Sequence, residues 1–141
     1  MQPCYWAIEQ LPGLSQEQQA RLKACGIATT EQLLQTANTP SARQALANQL
    51  QIHVRYVNKW VALADLARIP SVGCEYCGLL LHSGIVSISQ LVQTPVHRLH
   101  QQFLRLHVAT MQRQDLCPSI DVVQKWATEA RSLIQRPPQA T

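Results

Sequence analysis

The chain has 141 residues, 46% hydrophobic and 14% charged, and its 12 Lys and Arg against 8 Asp and Glu leave a formal charge of +4 and a pI near 9.0. That length suits one domain or two fused small ones, with a core large enough to need no disulfide staple. The start carries no charged-then-apolar leader pattern, no apolar run approaches the ~20 residues of a membrane span, and the 5 cysteines are an odd number, which together predict a soluble cytoplasmic protein with reduced thiols.

In chain order, Cys4 to Gln10 reads as a short first helix packing Tyr5, Trp6 and Ile8. Pro12-Gly13 turns the chain. Ser15, with Gln18 three residues on, makes a capping box and predicts a helix from Gln16 to about Cys25, with Ala20, Leu22 and Ala24 among its apolar positions. Gly26 ends that helix as a left-handed residue, and Ile27 folds back onto it. Thr29 and Gln32 cap a short helix to about Thr36, and Thr39-Pro40 opens another over Ser41 to Leu50. A longer helix from about Ile52 to Arg68 carries Val57, Trp60, Val61 and Ala64 at helical spacing. Gly73 then caps a helix to about Ser83, which Gly84 terminates. Ser87 and Gln90 form the next capping box, and Pro95 opens a helix to about His107 with Val96, Leu99, Phe103 and Leu106 toward the core. Residues 108–118 are the least regular stretch, Ser119 caps a last helix to about Ile134, and the remainder reads as a frayed tail. Nothing reads as strand.

The chain repeats itself. Leu11-Pro12-Gly13-Leu14-Ser15, running on through Leu22 to Ile27 and Thr30 to Thr36, is matched by Ile69-Pro70-Ser71-Val72-Gly73, Leu80 to Ile85 and Ile88 to Thr94, at a constant offset of 58 (69 − 11 = 94 − 36). Val57-Asn58-Lys59-Trp60 is matched by Val123-Gln124-Lys125-Trp126 at an offset of 66, which puts eight extra residues in the second copy, around 108–118. An ungapped match of this length indicates a duplicated unit.

A helix, a Pro/Gly turn, a second helix ended by Gly-Ile and a further capped helix resemble the helix-hairpin-helix. The paired arrangement, from about Ile8 to Leu133, resembles the family of tandem helix-hairpin-helix proteins classed as a domain of unknown function. That resemblance implies an all-α fold, two helix-hairpin-helix units packed as one compact helical body, over residues 1–65 and 66–135 with a flexible tail at 136–141. It also implies contact with a nucleic-acid backbone, for which a physical basis exists: amides at a helix N-terminus point at a phosphate and the helix dipole favours an anion there. Gly13, Leu14 and Ser15 of the first hairpin, with Arg21 and Lys23 behind them, are the residues expected at that contact, and Gly73 is their counterpart in the second hairpin. Each copy keeps one glycine of the family-type pair, with Ser15 or Ser71 at the other position. The second hairpin, followed by Glu75 and then by no cation until Arg98, is expected chiefly to join packed helices.

Cys74-Glu75-Tyr76-Cys77 has the C-x-x-C form of a redox pair or half a zinc site, but Cys4, Cys25 and Cys117 supply no second pair, and the cysteines read as small buried hydrophobes. His97, His100 and His107 share one face of the penultimate helix. Arg98, Gln102 and Arg105 line the neighbouring face and form a possible partner surface. No nucleophile elbow, Walker loop, dinucleotide fingerprint or paired carboxylates occur. The expectation is a non-catalytic module that binds DNA or RNA backbone without sequence specificity, the alternative being a protein–protein interaction adaptor using the same helical surfaces. Neither needs a metal, a cofactor, a membrane or a small-molecule substrate.

Overall fold

The computed structural model describes residues 2–110 and 118–135, leaving aside the side chains of residues 107–110 and 135. Within that range the chain is helical: a 3-10 turn at Ile8–Gln10 is followed by α1 (Gln16–Ala24), α2 (Thr30–Thr36), α3 (Pro40–Leu50), α4 (Val54–Ala67), α5 (Gly73–His82), α6 (Ile88–Gln93), α7 (Val96–Thr110) and α8 (Ile120–Gln135). No strand forms among the described residues; one isolated antiparallel bridge joins Ala7 to Thr29. No described helix is long and apolar enough to cross a membrane.

The helix ends follow local chemistry. The Ser15 hydroxyl accepts from the Gln18 amide at 3.1 Å while the Ser15 amide donates to the Gln18 side chain at 3.0 Å, and Thr29 with Gln32 repeats this reciprocal box at α2. At α6 the box is half made: Ser87 accepts from the Gln90 amide, but the Gln90 side chain takes the Val86 amide instead. Both α1 and α5 close with the same double bond. The Ile27 amide reaches Leu22 O at 2.9 Å and the Gly26 amide Lys23 O at 3.0 Å; 58 residues on, Ile85 reaches Leu80 O and Gly84 reaches Leu81 O, each at 3.0 Å. Gly26 and Gly84 sit at φ +84° and +91°, where a side chain would strain the backbone.

One continuous core runs through the molecule. Trp60 and Trp126 anchor it from α4 and α8, and Leu22, Ile27, Leu33, Val57, Leu80, Ile85, Leu91, Leu99 and Phe103 join them. Phe103 meets Trp126 edge-on, with ring centroids 5.9 Å apart, and Tyr76 lies 5.0 Å from the same indole. In α1 only Leu22 of the three expected apolar positions is buried; Ala20 and Ala24 face solvent. The residue 65/66 boundary falls inside α4, whose main packing partner is α5.

Two stretches depart from the sequence reading. Cys4 to Ala7 is extended rather than helical. Its amides are drawn away by tertiary partners: Cys4 donates to Arg68 O at 2.9 Å, Trp6 donates to the buried Thr30 hydroxyl at 2.9 Å and accepts from the Thr30 amide at 2.8 Å. Bonds made across the fold satisfy the backbone as well as a helical turn would, and they also seat Trp6, whose indole donates to Ala67 O at 2.8 Å. Helix α7 runs on to Thr110, into the stretch expected to be irregular; residues 111–117 and the tail at 136–141 lie outside the described residues.

Candidate functional site

The two turns singled out from sequence, at residues 12–15 and 70–73, precede α1 and α5, and the fold treats them differently. In the first, Gly13 has φ +83° and lies at the surface with Leu14 half-buried and Ser15 exposed. Helix α1 begins at Gln16, so the amides of Gln16 and Glu17 point out of its N-terminus; neither has an acceptor among the described residues. The nearest side chain over Gly13 is Lys59 of α4, whose Nζ lies 3.6 Å from where a Cβ on Gly13 would stand. Lys59 is exposed and has no carboxylate within ion-pair reach among the described residues.

Arg21 and Lys23 are committed elsewhere. Nη1 of Arg21 donates to Leu50 O, at the end of α3, at 3.0 Å, and Nη2 pairs with Glu17 at 2.9 Å. Lys23 is ion-paired with Glu9. Both cations hold α1 to its neighbours, and neither faces the turn with an unneutralised charge.

At the second turn Gly73 is buried, at φ +51°, under the Trp6 ring: a Cβ there would meet Trp6 Cζ2 at 3.1 Å. The donors of this turn already hold an anion. The Ser71 amide and hydroxyl donate to the two oxygens of Glu129 on α8 at 2.8 and 2.6 Å, and Glu129 is only 5% exposed. Repeat arithmetic makes the contrast sharp. Ser71 corresponds to Gly13 (71 − 58 = 13), so equivalent positions meet a carboxylate in one copy and an ammonium in the other.

Neither Lys59 nor Glu129 was singled out from sequence. A signal existed for Glu129: at the offset of 66 it aligns with Leu63, a buried apolar residue, and a carboxylate at a core position implies a dedicated partner. For Lys59 the only hint was its place in the repeated Val-Asn-Lys-Trp motif.

On α7, Arg98 and Arg105 are exposed and Gln102 between them is half-buried, its Oε1 enclosed without a hydrogen-bond partner among the described residues. His97 is exposed and His100 half-buried. Among the described residues no group of three or more His, Cys, Asp or Glu is gathered to hold a metal. Cys74 and Cys77 lie in the first two turns of α5 as free thiols; burial, and then the charge of Cys74, pushes the Cys77 thiol up to about 12, away from the thiolate that redox or metal chemistry requires.

A family model described as a domain of unknown function (DUF4332) matches residues 12–133. No curated protein and no solved structure matches the chain.

Proposed function

Because the chain belongs to the DUF4332 family of unknown function, and membership brings no activity with it, we propose a function from the site alone: the chain is a pair of helix-hairpin-helix units whose first hairpin binds the phosphate backbone of DNA or RNA without reading its sequence, as a non-catalytic cytoplasmic module. The observation that carries this reading is the opposite charge met by equivalent turns. Where Ser71 stands, the turn is complementary to an anion and Glu129 supplies one from within. Where Gly13 stands, the side chain overhead is Lys59, and the α1 amides beyond it add the positive end of a helix dipole. An external phosphate therefore complements the first turn, while the second has its anion built in. Lys59 takes the part first given to Arg21 and Lys23, whose charges are neutralised by Glu17 and Glu9. The free thiols Cys4, Cys25, Cys74 and Cys77 are in keeping with a reducing compartment.

Anisotropy of a labelled duplex, titrated from low to physiological salt, tests this. Two phosphate contacts give a log–log salt slope of about −2, and Lys59→Gln lowers its magnitude by about 1. Gln16→Glu is the sharper probe: an acid at the first helical position favours the helix but repels phosphate, so the variant stays folded and loses binding. Lys23→Gln, whose partner Glu9 lies outside α1, leaves binding within about twofold, whereas Arg21→Gln frees the Glu17 carboxylate in the first turn of α1 and weakens binding. Absence of duplex binding at low salt, or a slope untouched by Lys59→Gln, overturns the proposal. The adaptor reading then takes its place, with Arg98, the unsatisfied Gln102 and Arg105 as the surface to alter in pull-downs.

A further inference from the structure

A cleft of about 640 Å³ opens on one side of α4, between α2 and α3 of the first unit and α5 and the turn before α6 of the second. Its size lies within the roughly 300–1,000 Å³ of small-molecule sites. Its floor is aliphatic, from Leu34, Val61 and Leu81, and its cations are Arg43, Arg55 and Lys59. None of the three has a carboxylate partner among the described residues: Arg43 donates to Ala37 O at 3.1 Å and Arg55 lies over the Tyr56 ring. The one acid in the lining, Asp65, is spent internally, pairing with the Arg68 guanidinium through Oδ1 and accepting from the Ile88 amide at 2.9 Å through Oδ2. An apolar floor beneath uncompensated cations selects an anion with an apolar body. Asn58, exposed in the lining beside Arg55 and Lys59, adds an amide that both donates and accepts, as a base edge requires.

We propose that this cleft takes one nucleotide, its phosphate at Lys59 and Arg55, its sugar and base on the aliphatic floor, and the base edge toward Asn58. The inference rests on the phosphate reading of the first hairpin, because Lys59 both lines the cleft and lies over Gly13. A strand with a phosphate at the first turn thus has its neighbouring nucleotide at the cleft mouth. Bases of a duplex are stacked and paired and enter such a cleft only after extrusion, so the cleft confers preference for single strands or for the free nucleotide.

The test compares adenosine monophosphate, a short single-stranded oligonucleotide and a duplex, each titrated onto the full chain and onto two variants with exposed substitutions. Val86→Trp fills the cleft from its rim, where Val86 is 53% exposed, without a change of charge. Arg55→Gln combined with Asn58→Leu removes polar recognition. Both variants weaken the nucleotide and the single strand by about tenfold and leave the duplex within about twofold. Binding of the monophosphate with that loss identifies a free-nucleotide site; binding of the single strand alone, with the same loss, identifies a strand site. Failure of both ligands to bind, or equal affinity in both variants, overturns the proposal. The earlier reading fails separately: there Gln16→Glu spares the duplex while the cleft variants still weaken the monophosphate.

Discussion

Cys77 shows how burial changes a single residue's chemistry. Its Sγ is wholly enclosed, donates to Cys74 O at 3.8 Å, and holds its proton to about pH 12 against an ordinary value of 9.0. The unfolded chain releases this proton near pH 9 and the folded chain does not, so the stability linked to Cys77 is complete below pH 9 and is lost as the pH rises through 12. Urea unfolding of the parent and of Cys77→Ala across that window should show the parent losing stability relative to the variant, at up to about 1.4 kcal/mol per pH unit. A difference that stays constant with pH would refute the assignment. The same enclosure disfavours the thiolate that redox chemistry at a C-x-x-C spacing requires: the spacing is local, but thiolate formation depends on what surrounds it.

At the scale of elements, Glu129 ties α8 to the turn between α4 and α5. Removing the carboxylate strands a half-buried amide and a hydroxyl, a penalty of about 2–4 kcal/mol if both go unsatisfied. The first unit suggests the apolar substitute, since it places Gly13 and Leu63 at the corresponding positions. Glu129→Leu alone should therefore destabilise strongly, while adding Ser71→Gly should recover part of the loss, with a coupling of about 1 kcal/mol or more in a double-mutant cycle. Strict additivity would mean that the latch contributes nothing beyond its separate side chains. Asp65 makes a similar tie from α4 to the first amide of α6, while the Ser15 and Thr29 boxes and the paired glycine caps are shorter-range devices, each confined to about one turn of chain.

For the whole molecule, the question is whether two repeats make two folding units. The core is a single cluster, the half-way boundary cuts α4, and the N-terminal segment bonds to Arg68 O and Ala67 O at the far end of that helix. A fragment of residues 1–65 lacks those acceptors and exposes the α4 face that packs on α5. We expect the full chain to unfold in one cooperative transition, coincident by tryptophan fluorescence and far-ultraviolet circular dichroism, and the fragment to show neither a folded baseline nor a sigmoidal transition. Two resolved transitions in the full chain would instead establish independent units.

Sequence alone determined the order of the helices from α1 on, nearly all of their ends, and the faces that carry Trp60, Leu99, Phe103 and Trp126 into the core. These features depend on interactions within a turn or two of chain, where a capping hydroxyl, a left-handed glycine or an apolar spacing acts without knowing the rest of the molecule. The Glu17–Arg21 pair, at i, i+4 spacing, is a local signal of the same kind that the reading of Arg21 as a phosphate contact passes over. Tertiary structure decided the remainder. It stretched Cys4 to Ala7 into an extended segment, buried Gly73 under Trp6, paired Lys23 with Glu9, and set Lys59 over one turn and Glu129 into the other. Each of those outcomes joins residues 14 to 67 positions apart. Apart from the i, i+4 pair of Glu17 with Arg21, which charge is neutralised and which stays available is settled by packing between distant segments.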